Sequence, residues 1–389
     1  MTASIDDNGY PIGFKCGTGR RLSTLAMGQS GDDVVVAEVR HVGHHQKEAV
    51  VEEGRGGPLW RLASDEGVHL KGTDLAPFPL GYYNAGLQAD IAGCIARLAA
   101  HRSIALRRLG MTLTTAYSLT GSFVQGTGQG VAEGVTIELD VESSAQPEAI
   151  AKLVRDAMAA SPALAMVTTH IDNTFALYVN GRRKNPNTLP ASAAPNADDP
   201  FIKYSDLPRP LAGGGDQSQL VVKTGDKQAG EPIQAPVSGK VIREVKGRGE
   251  LIDMRGIYRT KVALNLPGSS YFEFAADETG AASAPTGLAL ATAGIAFCYI
   301  TQISRYIEHM KLPIHGIRLV QASPYGITTD GRGTAAPCDT HLFLNGETDD
   351  DTFEMLQRVA ANTCYLHQTM IQMPALRIDL KLNGAAVRV

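Results

Sequence analysis

Cys298 and Cys364 are the residues of this 389-residue chain whose type and spacing point most directly to chemistry. They lie 66 positions apart (364 − 298), each in a stretch with helical character. Two thiols on two helices can meet in space and form a reversible disulfide. That is the layout of a dithiol peroxidase: one thiolate attacks a peroxide oxygen and becomes a sulfenic acid, and a second thiol condenses with it. Apolar surroundings raise the pKa of a thiol, so such a site needs a cation close by. Arg305, seven residues beyond Cys298 on the same helix face, is one candidate; Arg255 and Arg259, in the preceding strand region, are two more. The spacing does not choose among them. His367, three residues beyond Cys364, is placed to tune that thiol. The competing reading is that both cysteines are inert core thiols, since free cysteine is often buried.

Cys298 falls near the middle of residues 284–309, a stretch that opens after Pro285 and is small and apolar from 288 to 300, with Thr292 its one aliphatic hydroxyl. A helix apolar all round belongs at the centre of a core. The apolar run is shorter than the roughly 20 residues a bilayer span needs, so no membrane crossing is expected. The same helix occurs twice. Residues 76–101 lie on residues 284–309 with a shift of 208 and no gap, and eight of the 26 positions are identical: Ala76, Pro77, Leu80, Ala85, Gly86, Ile95, Arg97 and His101. Chance would give roughly one or two, so this is an internal repeat. A second match, shifted by 203, places residues 153–161 on residues 356–364 and Asn180-Gly181 on Asn383-Gly384. Asp90 therefore stands where Cys298 stands, and Ser161 where Cys364 stands. An apolar helix carrying Asp90 needs a partner for the carboxylate, because burying an unpaired charge costs several kcal/mol, and Arg97 or an arginine of the other half could supply it. Cys94, one turn past Asp90, reads as core filler.

Two halves share one order: strands, long buried helix, hairpin, second helix, terminal strand. The expected fold class is α+β, with the central helices between antiparallel sheets and the two repeats forming a pseudo-dimer within one chain. The expected divisions are an arm at 1–32, repeat 1 at 33–181, a linker at 182–249 with a hairpin over 219–241, and repeat 2 at 250–389. Within these, strands are expected at 33–45, 58–64, near 68–71, at 111–119, 134–141, 173–179, 251–266, 271–275, 316–323, 340–344 and 376–382, and further helices at 148–160 and 352–372.

The net charge is −4, from 36 Lys and Arg against 40 Asp and Glu, which gives no electrostatic case for nucleic acid or an anionic membrane. The first residues carry no basic and apolar leader, so the expected location is the cytoplasm, where thiols stay reduced. The five cysteines include no C-x-x-C, which removes zinc ribbons and thioredoxin motifs. His41, His44 and His45 have no second cluster and read as a solvated strand end. Neither a metal nor a cofactor is expected.

The order of elements, the buried helix ending in Gly294-x-Ala296-x-Cys298 after Pro285, and Cys364 further on together resemble the OsmC/Ohr family (osmotically inducible and organic hydroperoxide resistance proteins). Pro77, Gly86 and Ser161-Pro162 carry the resemblance in the first half, which covers about 33–181 and 250–389. It implies a fused pair of subunits, and an antioxidant peroxidase that reduces organic hydroperoxides. Cys298 would be the peroxidatic thiol and Cys364 the resolving one, with dihydrolipoyl thiols as reductant; further association of chains stays open. Several positions depart from the family pattern. Thr286 and Leu288 occupy the region of the family's glutamate, as Phe78 does in the first half, the family's strand-loop arginine has only Arg255 or Arg259 to match it, and Tyr365 follows Cys364 where the family has proline. These departures leave two alternatives: another cysteine-dependent enzyme acting on a sulfur or acyl substrate, or a non-catalytic protein binding a small ligand.

Overall fold

The computed structural model describes residues 4–18, 33–54, 56–184, 186–200, 208–212, 217–229 and 241–389. Two helices at the centre organise them. Helix α1 (Pro79–His101) carries no exposed residue before Arg97, and α4 (Gly287–Met310) is buried from its first turn to Ser304 apart from Leu288. At 24 residues α4 is long and apolar enough to cross a membrane, which corrects the shorter span read from its apolar run. Yet 94% of its most apolar window is buried inside the protein, as befits a core helix. The two helices cross at glycines. A Cβ on Gly86 would lie 2.5 Å from Ala291 N and Gly287 O, and one on Gly294 would lie 2.7 Å from Tyr83 N. These are the two glycines that the repeat superimposes.

Each helix covers one sheet. The first half contributes β1 (Gly13–Thr18), β2 (Asp33–Gly43), β3 (Gln46–Glu53), β4 (Pro58–Ser64), β5 (Leu106–Thr120), β6 (Gln129–Ser143), β7 (Thr174–Val179) and β8 (Arg182–Lys184). The second contributes β9 (Val221–Lys227), β10 (Arg243–Asp253), β11 (Ile257–Leu264), β12 (Ser270–Asp277), β13 (Ile314–Ile327), β14 (Gly333–Ala335), β15 (Asp339–Gly346), β16 (Leu376–Leu382) and β17 (Ala385–Val387). Among the described residues, one sheet runs β1-β4-β3-β2-β13-β15-β7-β8, with β14 on β13, and the other runs β17-β16-β6-β5-β10-β11-β12-β9. Every pairing between named strands is antiparallel except β15–β7 and β16–β6, where the halves exchange their last strands. The seams β2–β13 and β5–β10 also join one half to the other. The fold is α+β, and the two halves pack as a pseudo-dimer. Neither half owns a sheet, so separating them would break strand ladders in both.

Several expected elements differ. Residues 13–18, placed in an arm, form β1 on the edge of β4; residues 19–32 lie outside the described residues. The piece near 68–71 is a 3-10 turn, Val68–Leu70, not a strand. Of the hairpin expected over 219–241, residues 230–240 lie outside the described residues, and among the described residues its two arms do not pair with each other. β9 pairs with β12, while β10, which begins at Arg243 ahead of the expected repeat boundary at 250, pairs with β5 and β11. Val221, Val245 and Leu251 bury their side chains in the main core, and that burial outweighs closeness in sequence. The single helix expected over 352–372 is two, α5 (Asp350–Thr363) and α6 (Tyr365–Gln372), bent at Cys364. The first half has the same bend, between α2 (Pro147–Ala160) and α3 (Pro162–Thr168) at Ser161. His45 is buried, not solvated: its ring contacts Ser304 Oγ at 3.2 Å and Glu308 at 3.3 Å on α4.

Candidate thiol site

Two local features bring the sulfur atoms together. Cys298 sits mid-way along α4. Cys364 has an extended backbone (φ −71°, ψ 106°), so it ends α5 and serves as the N-cap of α6. The first amides of a helix have no partner within the helix and favour negative charge. Burial opposes ionisation of Cys298. A hydrogen bond with the Cys364 side chain and the backbone N–H groups of Leu366 and Tyr365 outweigh it, so the Cys298 thiol is held below its ordinary pKa. Cys364 moves the other way, raised well above the usual thiol range by burial and then by the adjacent Cys298. Cys338 is pushed up to about 12 by burial, and burial also drives Cys94 upward. All five cysteines are free.

A buried relay from the first half lies beside Cys298. Lys47 on β3 has no exposed surface, and its Nζ donates to Thr301 Oγ1 at 2.8 Å and to the His45 carbonyl at 2.7 Å. Thr301, three residues beyond Cys298, donates to Glu66 Oε1 at 2.8 Å, and Lys47 Nζ is 3.6 Å from the same oxygen. Burial lowers the Lys47 pKa, opposed by Glu66, Asp65 and Cys298. A small pocket of about 40 Å³ opens onto Cys298, lined among others by Glu66, Leu80, Arg243, Arg305 and Tyr365. Arg243 donates to Tyr365 Oη at 3.2 Å; Arg305 bonds Gln302 at 3.1 Å and lies over the Phe123 ring at 4.7 Å. Outside it is a broader hollow of about 690 Å³ that shares His69, Leu70 and Arg305.

The residues singled out in the sequence separate clearly. Cys298, Cys364, Arg305 and His367 come together, with His367 Nδ1 at 3.1 Å from Cys364 Sγ. Arg255 does not join them. It is 83% exposed and ion-paired to Asp253 in the turn between β10 and β11. Arg259 lies on β11 between Glu250 and Ala275 and does not line the pocket. Asp90 is bonded to Ser161 Oγ and to Ala163 N at 3.1 Å, so Ser161, not Arg97, is its principal partner. Burial pushes Asp90 up to about 6, although those bonds and the charge of Arg97 pull it down. Lys47, Glu66 and Arg243 were not singled out in the sequence, and Tyr365 was noted there only as the residue in place of the family's proline. One signal was available for Glu66: Asp65-Glu66 directly after β4 recurs as Asp277-Glu278 at the end of β12. Among the described residues, no group of three His, Cys, Asp or Glu side chains is set to hold a metal ion.

No family model matches the chain. No curated protein matches it either. Among solved structures, it is similar to an OsmC-like hydroperoxide resistance protein from Jannaschia sp. CCS1, a crystal structure at 1.70 Å. The identity is 24%, the match covers 34% of this chain and 89% of that one, and the TM-score is 0.26.

Proposed function

We propose that this chain is a thiol-dependent peroxidase that reduces organic hydroperoxides, with Cys298 as the attacking thiol and Cys364 as the resolving one. The observation that carries the reading is the sulfur pair itself. Cys298 is shifted toward thiolate by Cys364 and by the first amides of α6, and it lines a pocket together with Arg243 and Arg305. The Cys298 thiolate attacks one oxygen of the O–O bond. An S–O bond forms, the O–O bond breaks, and the alcohol leaves with a proton, giving Cys298 sulfenic acid. Cys364 then displaces the hydroxyl as water and closes the disulfide. Two electrons and two protons from an external dithiol, a dihydrolipoyl group in this reading, restore both thiols. A pocket of about 40 Å³ has room for little more than one water-sized group. The peroxide end of the substrate would enter it while the organic body lies in the outer hollow.

The test is a thiol count with peptide mapping, on reduced protein before and after one equivalent of cumene hydroperoxide. Loss of two thiols, with Cys298 linked to Cys364, is expected, and Cys298→Ser abolishes the reaction. Persistence of the peroxide with both thiols free would sink the proposal.

A further inference from the structure

His367 carries a cost that packing alone does not explain. Its ring is 1% exposed, wedged between Phe175 at 5.5 Å and Tyr299 at 5.1 Å between ring centroids. Nδ1 contacts Cys364 Sγ at 3.1 Å, while Nε2 has no hydrogen-bond partner among the described residues. A buried polar atom left without a partner destabilises the fold. The other half fills the matching position, three residues past Ser161, with Leu164, which is buried and makes no such demand. The imidazole therefore occurs only where the partner residue is a thiol.

We propose that His367 is the catalytic base of the resolving step; the identity of the oxidant in that step rests on the function proposed above. Nδ1 takes the proton of the Cys364 thiol as Cys364 Sγ attacks Cys298 Sγ. The S–S bond forms and the S–O bond of the sulfenic acid breaks. The departing hydroxide takes the proton from the imidazolium and leaves as water, and His367 returns to neutral. No further oxidant or reductant enters, because Cys298 has already given its two electrons to the peroxide. Direct transfer matters here because Cys364, raised by burial and by Cys298, yields few free thiolates. The structure sets Cys364 at the N-cap of α6 and Tyr299 on α4 against the imidazole as titratable neighbours. Burial holds Tyr299 neutral and its hydroxyl faces the Gln357 carbonyl. Burial likewise lowers His367 to about 3, so the ring is neutral across the ordinary pH range but a weak base, and the 3.1 Å contact lets it pass the proton on only in concert with S–S bond formation.

The step can be observed without peroxide. One equivalent of methyl methanethiolsulfonate converts Cys298 to a methyl disulfide, and Cys364 then expels methanethiol. Acid quenching and mass spectrometry follow both species. In His367→Asn, the second step should slow about 100-fold relative to the first. A ratio equal to that of the wild-type protein overturns the proposal. Should the variant fail to fold, wild-type protein alone decides. A rate of the second step that is flat between about pH 5 and 8 marks a neutral buried base, whereas a tenfold rise per pH unit marks free thiolate and overturns it. A parallel run with cumene hydroperoxide reports separately on the peroxidase reading.

Discussion

Glu278→Gln should make the protein more stable with rising pH relative to wild type. Glu278 is the counterpart of Glu66 in the other half, half-buried beside Asp90, and its Oε1 accepts from Gly287 N at 2.6 Å at the start of α4. Burial first, and then the charge of Asp90, raise its pKa from 4.5 to about 8. Below pH 4.5 the carboxyl is protonated in both folded and unfolded chains and contributes no pH dependence. Above it the unfolded chain ionises while the folded one keeps its proton, so stability falls until the pH passes about 8. Every pH unit between those two limits removes about 1.4 kcal/mol, so the loss across this window is on the order of 5 kcal/mol. Glutamine keeps the carbonyl oxygen that accepts from Gly287 and does not titrate. Urea unfolding of both proteins from pH 4 to 8.5 gives the difference directly. The depressed histidines His45, His69 and His367 destabilise both proteins alike as the pH falls, and they cancel. Parallel stability curves, with no divergence above pH 5, would refute the assignment of a protonated Glu278.

Lys47→Met leaves Glu66 buried without its cation and should cost about 3 kcal/mol by chemical denaturation, whereas Lys47→Met with Glu66→Leu should recover most of the loss. Gly86→Ala drives a methyl into the backbone of α4 at 2.5 Å and should cost roughly 2 kcal/mol or more, read as a lowered urea midpoint. Cys364→Ala removes the side-chain hydrogen bond that helps hold Cys298 as thiolate, so the ultraviolet titration of Cys298 should move to higher pH. Cys364→Ser keeps a donor and should leave the titration near that of wild type.

What was legible in the sequence was what repeats or what a helix spaces. The shift of 208 pairs Gly86 with Gly294, and those two glycines are where α1 and α4 touch. It also sets Asp90 in register with Cys298, and Ser161 with Cys364 follows from the second shift. Strand exchange was not legible. Lys47 and Glu66 reach Cys298 from the other half, and Arg243 arrives on a strand that pairs across the seam, so no local spacing announces them. Arg255 and Arg259 were nearer in sequence, but one sits in an exposed turn and the other beyond the pocket. The bend at Cys364 was hidden because no glycine or proline marks it. In the first half Pro162 does mark the bend, in the first position of the short helix α3, where a missing N–H does no harm.

The repeat also explains why one half carries sulfur and the other does not. In both, a residue at the cap of a short helix bonds to the central helix: Ser161 to Asp90, and Cys364 to Cys298. Serine and aspartate meet the structural demand fully, with Ser161 Oγ also accepting from Leu164 N at 3.0 Å, so sulfur is not needed to hold the bend. The glutamates divide in the same way. Glu278 is engaged by the N–H of Gly287. The repeat places Pro79 at the matching position of α1, and proline has no N–H to offer. Glu66 is left to bond Thr301 and approach Lys47 beside Cys298. A single glycine-to-proline difference therefore frees one carboxylate for the thiol site and commits the other to capping a helix. The site so formed takes its carboxylate and lysine from the first half and its cysteines from the second, which is a reason for both halves to stay in one chain.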